Sequence, residues 1–364
     1  MLRQACSRCG SRIYFDNWTC LNCGARLGLL PDLMHLTALD PAGGDLWAEA
    51  GRAQVRYRLC INAVVHGVCN GLVPADESGQ LCRACEFTQQ IPSLSTVDHL
   101  EYWRRLERAK RRLLFTLAAL HLPLEPRARV GNTGLGFAFG ADVSPAHRFL
   151  TAHCDGLISI NISEADDVER ERIRTAMGEP YRTLLGHFRH ESGHHYLERF
   201  AEDPARLTLI RATFGEVRNG YEEALSSYYA NGPLPHWQES HISAYATAHP
   251  QEDWAETWAH YLLIVDTLES AHEAGVVLGS GSFELSFGSA GATYDPASFD
   301  LALARWLPLA EFANELARSL GTADAYPFVL TDAVTRKMRV IDRLVAGLSQ
   351  DPLKSSHEKT LSPL

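Results

Sequence analysis

The stretch His190-Glu191-Ser192-Gly193-His194 carries residue types suited to metal chemistry, at helical spacing. Residues four apart lie one above the other on a helix, so both imidazoles can point at one divalent ion. Glu191, one step round the cylinder, is left free to handle a proton. This HExxH spacing is that of metal-dependent peptide hydrolysis. The same letters also arise by chance in ordinary amphipathic helices, so the rest of the chain has to supply the remaining parts.

The neighbours of the motif make a helix over residues 181–200. Leu184, Leu185, Phe188, His195 and Leu197 recur at helical intervals, and Pro180 sits where a first-turn proline is tolerated. A catalytic zinc takes three protein ligands and keeps one open position. His187 and His195 are poor third ligands. HExxH sites draw theirs from a separate element, and His195 is rotated by about 100° from His194; both are expected at the second shell or the surface.

Residues 250–262 read as a second, buried helix, with Pro250 at its start and Trp254, Trp258, Tyr261 and Leu262 at helical steps. Glu252 and Glu256 share one face of it, and two carboxylates on an apolar helix are costly unless something positive meets them. Zinc meets the first as a ligand, and the second accepts from the N–H of a ligating imidazole. The reverse assignment, Glu256 as ligand, stays open.

Nine cysteines are present, eight of them before residue 86. Cys6-Ser7-Arg8-Cys9-Gly10 and Cys20-Leu21-Asn22-Cys23-Gly24 are two knuckles of one design, with β-prone residues 11–15 between them, and four thiolates so spaced suit one tetrahedral zinc. Cys60, Cys69, Cys82 and Cys85 complete a second set with looser spacing; exchange of ligands between the sets is not excluded by sequence. Neither set keeps an open position, so both are expected to be structural and to supply folding energy to segments too short to bury a core.

The formal net charge of −10 argues against a protein built to bind phosphates. Residues 1–90 carry eight arginines, no lysine and eight acids, and so lack the basic footprint of a nucleic-acid reader. A docking role toward another protein suits this module better. No apolar run reaches the roughly 20 residues of a membrane helix, and the first residues have no apolar signal core, so cytoplasmic residence is the default expectation.

Other elements follow from periodicity. Residues 98–120 form a helix with Leu100, Trp103, Leu106, Leu113, Leu114 and Leu117 near one face and Arg104, Arg105, Arg108, Lys110, Arg111 and Arg112 on the other. That basic face is expected to be solvated, or to hold an acidic or nucleic-acid partner. Residues 134–139 and 156–162 alternate like strands, the second a candidate edge for an extended peptide. Cys154 is expected to pack and His153 to be structural. Residues 164–177 form a charged helix ended by Gly178. Residues 205–231 read as one helix lining the cleft, and residues 299–320 and 330–348 as bracing helices. Residues 275–296, rich in Gly and Ser, suggest a mobile loop or lid, and the polar tail 350–364 suggests disorder.

The segments Gly156-Leu157-Ile158-Ser159-Ile160-Asn161, Glu164-Ala165-Asp166, residues 179–191, and Glu252-Asp253-Trp254-Ala255-Glu256 resemble a bacterial family of zinc-binding metallopeptidases with an N-terminal zinc ribbon. The cysteine-rich start, including Cys69-Asn70-Gly71-Leu72-Val73-Pro74-Ala75, is similar to it as well, so the likeness spans roughly residues 1–270. It implies an α+β, zincin-like domain, mainly helical with a small mixed sheet, and peptidase activity. A more remote likeness runs to the anthrax lethal factor type of gluzincin, in which a tyrosine precedes the ligand glutamate by seven residues and a second glutamate follows by four. Tyr245, Glu252 and Glu256 fall in that register, which nominates Tyr245 as oxyanion donor. Lethal factor has an asparagine three residues before the ligand; this chain has His249, an alternative donor.

The organisation expected is a module with two structural zincs (1–90), a metallopeptidase domain with one catalytic zinc (91–349) and a tail (350–364). His190, His194 and Glu252 would hold the catalytic ion and Glu191 would act as general base on a peptide or protein substrate. The rivals are an inert zinc-binding regulatory protein and a nucleic-acid-associated one using the arginine face of residues 104–112.

Overall fold

Glycine-punctuated strands open the chain, and long helices close it. The structure, a computed structural model, describes residues 4–144, 146–280, 283–286 and 299–349. β1 (Gln4–Ala5) pairs antiparallel with β2 (Arg12–Ile13) between the first two knuckles. Five antiparallel strands follow in chain order: β3 (Leu27–Leu29), β4 (Leu36–Pro41), β5 (Leu46–Glu49), β6 (Arg52–Leu59) and β7 (Leu72–Pro74). Two single-turn helices, α1 (Ile61–Val64) and α2 (Arg83–Glu86), flank the second cysteine set.

The second sheet is small and mixed, in the order β10 (Ala152–Cys154), β11 (Leu157–Asn161), β9 (Gly136–Gly140), β8 (Thr88–Gln90). β8 and β11 run parallel to β9, and β10 runs antiparallel to β11. The strand at residues 156–162 was the expected edge; it lies inside the sheet instead, because residues 152–154 fold back on it. The edge is β10. Cys154 on β10 is exposed rather than packed.

Helices α3 (His99–Ala119), α4 (Arg127–Val130), α5 (Asp167–Met177), α6 (Leu184–Ala201), α7 (Pro204–Phe214), α8 (Tyr221–Asn231), α9 (Pro250–Ala274), α10 (Phe299–Ser319) and α11 (Asp332–Ser349) make up the rest, with a hairpin of β12 (Val277–Ser280) and β13 (Phe283–Ser286) before α10. α6 starts later than Pro180 suggests: Thr183 caps it, its Oγ1 accepting from Gly186 N at 3.0 Å. The helix expected over residues 205–231 is two, interrupted where Gly215 and Gly220 take positive φ. Residues 281–282, 287–298 and 350–364, which hold part of the expected lid and the whole tail, lie outside the described residues. Among the described residues no helix is long and apolar enough to cross a membrane.

α6 and α9 pack side by side, with a close approach within the motif itself. A Cβ on Gly193 would lie 3.0 Å from Ala255 Cα. At 100° per residue, Ala255 is flanked on α9 by the two glutamates on one side and Trp254 and Trp258 on the other. The indoles donate back, Trp254 Nε1 to Gly193 O at 2.9 Å and Trp258 Nε1 to Ser192 Oγ at 3.1 Å. Phe188 of α6 meets Phe137 and Phe139 of β9 with ring centroids 5.5 and 6.1 Å apart.

The basic face of α3 is not the solvated platform the periodicity suggested. Lys110 is fully buried, 2.8 Å from Glu107, which accepts from Thr88 of β8. Arg111 donates to Val68 O and Arg104 to Gly67 O, both at 3.0 Å. Arg108 and Arg112 converge on Asp16 of the first cysteine segment, each with Nε 3.0 Å from Oδ2. The acidic partner of this helix is in the same chain. One buried cluster runs from Cys60, Cys69, Cys82 and Cys85 through Trp103 and Leu113 to Phe188 and Trp258, so residue 90 marks no break in the core.

Candidate metal centre

Three side chains from two helices converge. His190 and His194 stand one turn apart on α6 with their Nε2 atoms 3.3 Å apart. Glu252, in the first turn of α9 and 1% exposed, puts Oε2 3.1 Å from His190 Nε2 and Oε1 3.6 Å from His194 Nε2. A tetrahedral zinc with bonds of about 2.0–2.2 Å sets neighbouring N and O ligands about 3.3–3.6 Å apart; the two Nε2 atoms meet that span, and Glu252 turns a different oxygen to each imidazole. Glu252 Oε2 is buried and makes no hydrogen bond despite its closeness to His190, so an acceptor is left over for a cation. These residues fit zinc.

The electrostatics point the same way. Burial by itself pushes the Glu252 carboxyl up, but the closeness and charge of His190 and His194 outweigh it and hold the group well below the usual range. Burial likewise works to lower His190, yet Glu252 and Glu256 raise it well above the ordinary imidazole value. Two carboxylates aimed at one spot attract positive charge strongly there. Glu256 Oε1 lies 2.7 Å from His190 Nδ1, and its Oε2 accepts from Ser243 Oγ at 2.7 Å. With Nδ1–H donating to Glu256, His190 presents Nε2 as a lone pair.

Glu191 is half-buried next to this cluster, and among the described residues its carboxylate has no hydrogen-bond partner. Tyr245, in a 3₁₀ turn before α9, has its ring centroid 6.1 Å from that of His190. Burial pushes its phenol up, so it stays a proton donor. His249 faces another way. It caps α9, Nδ1 accepting from Gln251 N at 3.1 Å, while Nε2 lies 3.0 Å from Asn219 O. Both ring nitrogens are engaged with backbone, which leaves no N–H for an oxyanion and removes it as the alternative donor.

The remaining histidines near the motif are held by other groups. His187 Nδ1 is 3.2 Å from Glu164 Oε2. His195 is buried, and desolvation lowers it to about 4. His153 accepts from Gly156 N at 3.1 Å. Sequence reasoning missed Tyr221, whose hydroxyl donates to Glu252 Oε1 at 2.7 Å; a tyrosine 31 residues before its partner leaves no local signal.

The sulfurs fall into the two groups expected, Cys6, Cys9, Cys20 and Cys23 in one and Cys60, Cys69, Cys82 and Cys85 in the other, with no exchange between them. In the first, Cys6 and Cys23 are 3.8 Å apart and Cys9 and Cys20 3.6 Å; in the second, Cys69 and Cys82 are 3.4 Å apart. Zinc–sulfur bonds of about 2.3 Å give tetrahedral edges of about 3.8 Å. Gly10 and Gly24, both at positive φ, donate N–H to the carbonyls of Cys6 and Cys20 and close the knuckles. Gly71 has no room for a side chain, since a Cβ there would meet Cys82 Sγ at 2.2 Å.

No solved structure matches the chain. It is similar to uncharacterized proteins of Mycobacterium bovis and of Mycobacterium tuberculosis strains CDC 1551 and H37Rv, each 40% identical over 349 residues, which cover 95% of this chain and 96% of each relative. A zinc-ribbon domain model matches residues 3–96. A second model, described as "Putative zinc-binding metallo-peptidase", matches residues 99–344, which contain α6, α9 and the converging His190, His194 and Glu252. By the length of that match, the chain belongs to this zinc-binding metallo-peptidase family, with a zinc-ribbon domain ahead of the family's own.

Proposed function

We propose that the protein is a zinc-dependent peptide hydrolase in which His190, His194 and Glu252 hold the catalytic ion and Glu191 is the general base. The observation that carries the reading is the convergence of two imidazole nitrogens and one buried carboxylate beside a half-buried glutamate that has no hydrogen-bond partner among the described residues. A bound zinc would supply Lewis acidity, acidifying water and polarising the scissile carbonyl. Glu191 takes the proton from the attacking water and passes it to the leaving amine nitrogen. Tyr245 donates to the developing oxyanion, a contribution of about 3–4 kcal/mol for one such donor. Glu256, steadied by Ser243, fixes the tautomer of His190.

The open edge of β10, antiparallel to its neighbour and packed against α6, suits an extended peptide that pairs through its backbone. The two four-cysteine sets act as structural zinc sites, for three zincs in all, and residues 1–90 form a module fused to the catalytic part through α3. The arginines that a nucleic-acid role would use are tied to Asp16 and to the backbone of residues 67–68, which disfavours that reading.

The test is metal analysis followed by turnover. The purified chain should hold about three zincs, two of them resistant to mild chelation. Glu191→Gln should keep all three and lose at least about 100-fold in cleavage of a peptide library. A variant that keeps its metal and matches the wild type would leave a zinc-binding protein without hydrolysis.

A further inference from the structure

We propose that Tyr221 is a positioning residue for Glu252, tying one carboxylate oxygen on the His194 side so that the other is turned to His190. The inference rests on the metal-centre reading above. Tyr221 Oη donates to Glu252 Oε1 at 2.7 Å, while Oε2, 3.1 Å from His190 Nε2, has no hydrogen bond. Oε1 thus takes the phenol with His194 Nε2 3.6 Å away, and Oε2, facing His190, is the acceptor left over.

The phenol is not placed by packing of its own helix. Tyr221 is the first residue of α8, and none of that helix's residues is buried. It is placed by the loop before it. Asn219 O lies 3.0 Å from His249 Nε2, and Val217 O accepts from Gln251 Nε2 at 2.6 Å. Gly220, at φ 76°, then turns the chain into α8. Both anchors flank Glu252 in sequence at the start of α9, so phenol and carboxylate are presented from one corner. The Tyr221 ring also stands edge-on to His249, with centroids 5.2 Å apart. Without the hydroxyl, Oε1 would be a buried oxygen with no directional partner, and the carboxylate would be free to rotate. Coupling is reciprocal, so metal held by Glu252 should in turn hold the start of α8.

Zinc affinity of the full chain, measured by competition against chelators of graded strength, tests this without any peptide. Tyr221→Phe, which keeps the ring, should weaken one zinc by about 10–100-fold and leave the other two unchanged. Tyr229→Phe, an exposed tyrosine on the same helix, should weaken none. Unchanged affinity in Tyr221→Phe overturns the proposal, as does an equal loss in Tyr229→Phe. Hydrogen exchange on the wild type decides the matter even if Tyr221→Phe fails to fold. The first turn of α8 should exchange more slowly once the weakest zinc is loaded, and identical rates overturn the coupling. A chain that binds all three zincs but cleaves nothing leaves these outcomes standing. A wild type that binds only two refutes the metal centre, and Tyr221's role with it.

Discussion

At the scale of single residues, the motif contributes more than ligands. Ser192 and Gly193 form the floor on which α9 rests, and Gly193 lets the Ala255 backbone come close. Alanine there would gain about 1 kcal/mol of helix propensity, but its Cβ would press on Ala255 Cα at 3.0 Å and Trp258 Cδ1 at 3.1 Å. One of those neighbours is backbone and the other a fully buried ring, so neither can step aside cheaply. Overpacking of this kind costs about 1–3 kcal/mol, and Gly193→Ala should therefore lower stability by about 1 kcal/mol in urea denaturation. An unchanged or raised midpoint would show that the two helices can part without cost.

At the scale of elements, α3 is the strut. It touches the first cysteine segment through Asp16, the second through the carbonyls of residues 67–68, β8 through Thr88, and α9 through Thr116, which donates to Asp266 at 2.6 Å. Its Lys110–Glu107 pair is wholly out of water. Removal of one partner leaves an uncompensated buried charge, so Lys110→Met should cost about 3–5 kcal/mol, and replacement of both partners by apolar residues should cost much less. Comparable losses in the single and double variants would mean that the pair matters through packing alone. The periodicity of α3 was legible from the chain, and the helix lies within a residue of where it was expected. The destination of its arginines was not, because an i, i+4 pattern reports which residues share a face and says nothing of what that face meets.

At the scale of the whole molecule, the cysteine layer and the helices α6 and α9 share one interior. A chain shortened to residues 91–364 would lose β8 and bare Trp103, Leu106 and Leu113, all fully buried in the intact protein. It should lose near-UV circular dichroism or precipitate; a soluble, cooperatively melting fragment would show two independent cores. Acid acts on the whole fold as well. Burial first, and neighbouring positive groups second, hold His153 to about 3 and His195 and His241 to about 4, and burial holds His260 to about 4. Each is neutral in the fold but binds a proton in the unfolded chain below about 6.5. The unfolded state therefore binds more protons in that window, and each group removes about 1.4 kcal/mol per pH unit as the pH falls from 6.5 toward 4. Glu164, held to about 2 because His187 and Arg182 outweigh its burial, adds to the loss below 4.5. Asp253, raised to about 6 by burial, and His190, raised by its carboxylates, work the other way but are outnumbered. The urea midpoint should drop between pH 7 and pH 5; a flat profile would mean that these histidines are not neutral in the fold.

Local spacing by itself brought out the candidates: His190 with His194, Glu252 with Glu256, and the two groups of four cysteines are each linked by helical or knuckle geometry that a few residues encode, while the choice between the two glutamates stayed open. Tertiary structure alone decided what lies across space. It engaged both ring nitrogens of His249 as cap and anchor, brought Tyr221 to Glu252 from another helix, put β10 rather than β11 at the sheet edge, and turned much of a basic helix face onto the cysteine layer. The physical reason is range. Side-chain periodicity and turn chemistry act over one or two turns of chain, whereas the partner of a buried polar group is chosen by whichever surface the folded core presents to it.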